Sequence, residues 1–137
     1  MGDSIYLNIF TPEKVVFADS AEAVTAPGTI GEFGVLPGHA ALVSTLEVGE
    51  VVIKKDNREY FGASGGGIAE VVNDKVTILT PAAELAQEID IKRAEAAKLR
   101  AEERLKNLPP EDDQHTEILL ALKRAQNRIK TAERKSV

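Results

Sequence analysis

Ile5, Leu7 and Ile9 alternate with Tyr6 and Asn8, the two-residue period of a strand with one face in a core. Thr11-Pro12 breaks that run, Val15-Val16-Phe17 opens the next, and residues 23–26 form a third that ends at Pro27-Gly28. Residues 31–36 follow, then Pro37-Gly38 and a short apolar run over 40–43. Two further pairs of runs predict hairpins. Val51-Val52-Ile53 and Glu59-Tyr60-Phe61 flank a turn near Asp56-Asn57, and residues 68–72 and 76–79 flank Asn73-Asp74-Lys75. Seven or more short strands at this spacing predict an antiparallel sandwich or barrel whose strands end near Thr80-Pro81.

Beyond that point the period changes from two to about 3.6. Asp90 suits the N-cap or first turn of a helix running to about Leu108, where a carboxylate meets unpaired backbone N–H groups. Ile91, Ala94, Ala101, Leu105 and Leu108 line its apolar seam, which Lys98 interrupts, and Pro109-Pro110 ends it. Glu111-Asp112-Asp113 supplies acids for a second helix whose stripe is Ile118, Leu122, Ala125, Ile129 and Ala132. Two helices of this length, about 27 Å each, predict an antiparallel hairpin. Its first helix offers mostly alanine, so the pair is marginal alone and needs something to dock on. The seam between the two architectures lies in residues 81–100.

Composition narrows this picture. The chain has 137 residues, four Phe, two Tyr, no Trp and no Cys. Its core must come from Val, Ile, Leu and Ala, and disulfides, thiolate metal sites and cysteine nucleophiles are excluded. No apolar run approaches the roughly 20 residues that span a bilayer, and the N-terminus reads as neither a signal nor a transit segment. The net charge of −5 is unevenly spread. Residues 1–85 carry twelve acids against five bases, while residues 86–137 carry ten acids against twelve bases. The sharpest cluster is Lys123, Arg124, Arg128, Lys130, Arg134 and Lys135 against Glu133 alone. A basic tail on an acidic body fits an acidic protein surface. Nucleic acid is not expected, because the tail has no aromatic residue for stacking and the body repels phosphate.

Residues 31–40, GEFGVLPGHA, resemble the epsilon subunit of F-type ATP synthases. Further matches stand in that family's order at Gly65-Gly66, Ile68-Ala69-Glu70-Val71, Val76-Thr77-Ile78-Leu79, Glu88-Ile89-Asp90 and Leu122-Lys123-Arg124-Ala125. Ala41 stands where the family usually has proline, and Ile68 where it commonly has phenylalanine; both read as packing variants. The resemblance implies a β-sandwich of about ten antiparallel strands over residues 1–85 and a C-terminal two-helix hairpin over 86–137. It implies a noncatalytic rotor subunit of the central stalk, serving ATP synthesis and proton transport, with the gamma subunit, the c-ring and the alpha/beta catalytic head as partners. The helices would fold down on the sandwich or extend into the head, where they impede ATP hydrolysis. The membrane would be met only through the complex, on the cytoplasmic face of a bacterial plasma membrane or, alternatively, at a plastid thylakoid.

The family's ATP-binding signature stands here as Ile89-Asp90-Ile91-Lys92-Arg93-Ala94. By resemblance, Arg93, Arg100, Arg124 and Arg128 would surround the triphosphate of a regulatory ATP. Glu84 and Asp90 would contact the base or order the arginines, and Ile89 and Ala94 would pack on adenine. Arginine's planar fork suits phosphate oxygens, and Arg124 and Arg128 are one helical turn apart. The bland alternative is a solvated helix face of weak Glu–Arg pairs. No G-x-x-x-x-G-K-[ST] loop is present, so any nucleotide site is arginine-built.

Thr29-Ile30-Gly31-Glu32 is the expected contact with the ring, through Glu32. His39, beside Pro37-Gly38, is expected at an interface; its only counterpart, His115, lies in the polar linker and offers no metal set. The triple glycine 65–67 precedes a strand and marks a bulge or close backbone approach. Lys123, Lys130 and Arg134, with Arg124 and Arg128, are expected to engage acidic groups of the head. No catalytic dyad and no metal site are expected. A rival reading is a free-standing β-sandwich ligand-binding module with a helical dimerisation tail.

Overall fold

The computed structural model describes residues 4–134; Lys135, the last cation of the basic run, lies outside the described residues. Eight strands are followed by a 3-10 turn and two helices: β1 Ile5–Phe10, β2 Val15–Ala21, β3 Ala23–Gly28, β4 Gly31–Val35, β5 Leu42–Lys55, β6 Arg58–Val72, β7 Lys75–Leu79, β8 Ala83–Leu85, the turn Ala86–Glu88, α1 Ile91–Lys106 and α2 His115–Glu133. The strand order is β2-β1-β7-β6-β5-β3-β4, with β8 added to β6.

Eight strands stand where about ten are expected because β5 and β6 are unusually long, at 14 and 15 residues. In the sequence Val48-Gly49-Glu50 and residues 62–67 interrupt the apolar pattern, so each long strand reads as two. The backbone ladder nevertheless runs on through Gly49↔Ser64 and Val51↔Gly62. The neighbours of β6 change along its length, from β8 at residues 62–64 to β7 at residues 68–72. Not every pairing is antiparallel, as the alternation suggested: β1 and β7 run parallel, Tyr6 opposite Lys75 through Phe10 opposite Leu79. Alternation sets which face is buried but carries no information on strand direction.

Both hairpin turns fall where the sequence places them. Asp56 and Asn57 have φ of 53° and 61°, and Asn73 and Asp74 have 48° and 63°, the left-handed pair that a two-residue turn needs and that Asn and Asp tolerate. At the end of the glycine run, Gly67 has φ of 111°, and a Cβ there would run into the Leu79 carbonyl. Close backbone approach explains that glycine.

Ile5, Leu7, Ile9, Val24, Val51, Ile53, Val71, Val76 and Ile78 form the core, with Phe17, Phe33 and Tyr60 only partly buried against it. Aliphatic side chains thus fill the centre and rings sit at its rim. Ile68 is on the outer face, 39% exposed beside Leu79, so its difference from phenylalanine does not touch the core.

Asp90 caps α1, its Oδ1 accepting from the Arg93 N–H at 3.1 Å. The helix ends at Lys106, ahead of Pro109-Pro110, and Asp112 Oδ1 accepts from the Gln114 N–H at the start of α2. Ala94, Ala101, Ile118, Ala125 and Ala132 are buried. Small residues at these places let the two helices approach closely. Ile91, expected in the seam, is instead 37% exposed.

Candidate functional site

The seam is packed, and this positions the site. β8 hydrogen-bonds to β6, the Gly65 N–H donates to the Ala82 carbonyl at 2.8 Å, and Ala86 and Ile89 are buried. Ile89 packs with Ala63 and Ala132. It therefore pins the chain between sandwich and α2, and it is not among the residues that line the cleft between them.

Helix α2 lies on β5 and β6, held by polar side chains. Asn127 Nδ2 donates to the Gly49 carbonyl at 2.6 Å, and Arg124 Nη2 donates to the Gly65 carbonyl at 3.3 Å. Thr131 Oγ1 donates to Glu50 Oε2 at 2.9 Å, and Arg134 Nε pairs with Glu50 Oε1 at 2.8 Å. Arg134 also sits 4.9 Å from the centre of the Phe61 ring, within cation–π range. Sequence reasoning missed Glu50, Asn127 and Thr131; a Thr on the buried stripe of an otherwise apolar helix face was the available signal. It also placed Arg134 with the outward cations. In this arrangement Lys123 and Lys130 are exposed on α2, and Arg134, although its side chain is 45% exposed, is paired with the sandwich.

Between the sandwich, the seam and the helices lies a cleft of about 490 Å³, in the range of small-molecule sites. Of the residues singled out by resemblance, Glu84, Asp90, Arg93, Ala94, Arg100 and Arg128 line it. Arg124 does not; it lines a neighbouring groove of about 300 Å³ between the helices, which Arg100 and Arg128 share. Glu84 Oε1 is 3.9 Å from Arg128 Nε, close enough to orient it. Among the described residues no carboxylate pairs with Arg93 or Arg100. The cleft has Lys14, Arg93, Arg100 and Arg128 on its walls, balanced by Glu13, Glu84, Glu88 and Asp90. That mixture can bind both the hydroxyls and amino group of a nucleoside and the oxygens of a phosphate chain.

The remaining candidates are spread over the sandwich. Ile30, at the β3–β4 turn, is fully exposed, and Glu32 next to it is exposed on β4. His39 Nδ1 donates to its neighbour Ala40's carbonyl at 2.6 Å, a local contact that leaves it half-buried. No cluster of three His, Asp or Glu able to hold a metal occurs among the described residues, and none of their helices is long and apolar enough to cross a membrane.

Comparison with known proteins gives a consistent result along the whole chain. Residues 4–86 match the family described as ATP synthase, Delta/Epsilon chain, beta-sandwich domain, and residues 87–133 match its long alpha-helix domain. The ATP synthase epsilon chain of Geotalea uraniireducens is 45% identical over 132 residues, covering 96% of each chain. That of Desulforamulus reducens is 46% identical over 127 residues, 93% of this chain and 96% of the other. Among solved structures, a chain of the Euglena gracilis mitochondrial ATP synthase OSCP/F1/c-ring assembly superposes with a TM-score of 0.75 at 25% identity, over 91% of this chain and 79% of that one. The free-standing ligand-binding module gives way to this result: the chain belongs to the ATP synthase delta/epsilon family, as a noncatalytic epsilon chain of the ATP synthase complex.

Proposed function

We propose that this chain couples the gamma subunit to the c-ring through its sandwich and restrains ATP hydrolysis through its helical hairpin, whose position a bound ATP controls. The observation that carries this reading is how α2 is held. Arg124, Asn127, Thr131 and Arg134 make polar contacts from its inner face to β5 and β6, while much of the helix–helix contact is alanine. Such an attachment is specific in direction and modest in energy, so it can be exchanged for another resting place.

ATP fits the cleft in size and donor set. Arg93, Arg100 and Arg128 would hold phosphate oxygens; Glu84 and Asp90 would order the arginines and meet the nucleoside. Bound nucleotide would bridge seam, α1 and α2, favouring the folded-down form. With ATP 100-fold above its Kd the linkage is about 2.7 kcal/mol, a population shift of about a hundredfold.

The sandwich carries two surfaces for the rotor. Tyr6, Val43, Ile68, Val72 and Leu79 are exposed on strands β1, β5, β6 and β7, an apolar outer face suited to gamma. The turn bearing Ile30 and Glu32 would meet the polar loops of the ring. These contacts would keep the chain at the cytoplasmic face of a bacterial plasma membrane. Lys123 and Lys130, with arginines freed on extension, would reach acidic groups of the alpha/beta head.

Removing residues 87–137 tests the inhibitory role: ATPase activity of the assembled enzyme should rise, and unchanged activity with assembly intact refutes it. Calorimetric titration with ATP tests the nucleotide, with Arg93→Ala as control. Equal heats from both proteins end that part of the proposal. Cross-linking from position 32 to ring subunits tests the foot.

A further inference from the structure

Where α2 ends on the sandwich, one carboxylate takes two of its polar side chains. Glu50 Oε2 accepts from Thr131 Oγ1 at 2.9 Å, and Glu50 Oε1 pairs with Arg134 Nε at 2.8 Å. Strand pairing puts the carboxylate there. Glu50 stands opposite Ala63 in the β5–β6 ladder, and Ala63 packs with Ala132 of α2, so the last turn of the helix lands beside Glu50. Phe61 is two residues before Ala63 on β6 and shares its face; the Arg134 guanidinium lies over its ring at 4.9 Å. Thr131 is fully buried. The Glu50 side chain is 12% exposed and that of Arg134 45%, so the contact is enclosed on the sandwich side and meets solvent on the helix side.

This clasp is separate from the two spaces described above. None of Glu50, Phe61, Thr131 and Arg134 lines the cleft at the seam or the groove between the helices. It therefore supports the folded-down form whether or not a nucleotide is bound. A contact made in only one of two forms shifts the balance between them by its own net contribution. When α2 leaves the sandwich, Glu50, Thr131 and Arg134 part and are hydrated separately. What is lost is the net worth of a charge-assisted pair, reduced by the exposure of Arg134. In the ratio of the two forms that is about three- to tenfold.

We propose that Glu50 is a built-in restraint on inhibition: by holding Arg134 and Thr131 it keeps the end of α2 on the sandwich without nucleotide and lowers the fraction of enzyme in the extended, inhibited form. The proposal rests on the inhibitory reading above and is independent of the nucleotide site. Assembled enzyme containing the full chain is compared as wild type, Glu50→Gln, Arg134→Gln and the double variant, with subunit content checked in each. Enzyme lacking residues 87–137 is the uninhibited reference, and each ATPase rate relative to it gives the ratio of inhibited to active enzyme. Glu50→Gln keeps the length of the side chain and an oxygen for Thr131 but loses the charge. It should raise the ratio by about three- to tenfold. In the Arg134→Gln background the same change should leave the ratio within about twofold, because the partner is already gone. The direction separates this role from support of the fold, since a damaged hairpin inhibits less. A ratio that Glu50→Gln leaves unchanged or lowers, or raises equally with and without Arg134, overturns the proposal and leaves the inhibitory reading standing. If the enzyme lacking residues 87–137 is no more active than wild type, that reading falls and the proposal with it.

Discussion

Arg134 Nε lies 2.8 Å from Glu50 Oε1, joining the last turn of α2 to the middle of β5. The other oxygen of the same carboxylate accepts from Thr131, which is fully buried. Glu50 is therefore the point at which the end of the hairpin is fastened to the sandwich. Replacing it with alanine strands a buried hydroxyl and frees the arginine, a loss of roughly 1–3 kcal/mol. Hydrogen exchange in residues 127–134 should accelerate by about tenfold or more in Glu50→Ala, with β1 and β7 unaffected. Equal acceleration throughout the sandwich would mean that Glu50 supports the whole fold and not the attachment.

Ile89 offers a separate test of the seam. Its burial with Ala63 and Ala132 predicts that Ile89→Ala lowers stability by about 2–5 kcal/mol. The measurement is chemical denaturation without nucleotide. A residue whose only role is to face adenine would leave that curve unmoved.

The close approach at Gly67 predicts an effect out of proportion to one methyl group. Positive φ and the Leu79 carbonyl both oppose a side chain there, at about 2–6 kcal/mol together. Urea unfolding of Gly67→Ala should show this loss or no folded protein. Gly34→Ala, on β4 with nothing nearer than 3.9 Å and no positive φ, should remain within about 1 kcal/mol of wild type.

Asp19 on β2 and Lys55 on β5 pair at 3.1 Å and give a pH signature. Hydrogen bonds from the Ser20 backbone and from Lys55 hold the Asp19 carboxyl below its ordinary 3.8, while the hydrogen bond to Asp19 raises Lys55 above 10.5. The folded pKa of the acid is depressed, so its contribution is present above 3.8 and fades as pH falls through the lower folded value. The base's is raised, so its contribution is present below 10.5 and fades as pH rises through the higher one. Both groups meet solvent, so the effect is small. The difference in melting temperature between wild type and Asp19→Asn should be constant between these limits and vanish in acid. A difference that persists in strong acid would assign it to something other than the ion pair.

Much of this fold was legible in the sequence because local rules govern it. Alternation located the core faces, Asp56-Asn57 and Asn73-Asp74 located the turns, and Asp90 located the start of α1. What alternation could not supply was continuity: residues 62–67 look like a loop by composition and are a strand by hydrogen bonding. The site was legible in part. Arg93, Arg100 and Arg128 converge with Glu84 and Asp90 on one cleft, and of these Asp90 and Arg93 belong to the signature readable along the chain. Arg124 and Arg134 turn to the sandwich because Gly65 and Glu50, distant in sequence, present acceptors there.

In the proposed function the hairpin rests on the sandwich and ATP holds it there. The chain has no cysteine, so Glu59→Cys on β6 and Lys130→Cys on α2, both exposed, give one unique pair of spin labels. Their separation, measured in the assembled enzyme with saturating ATP and again after its removal, decides the matter. One short distance is expected with ATP, and a second, longer population without it. A single distance that ignores the nucleotide would contradict it.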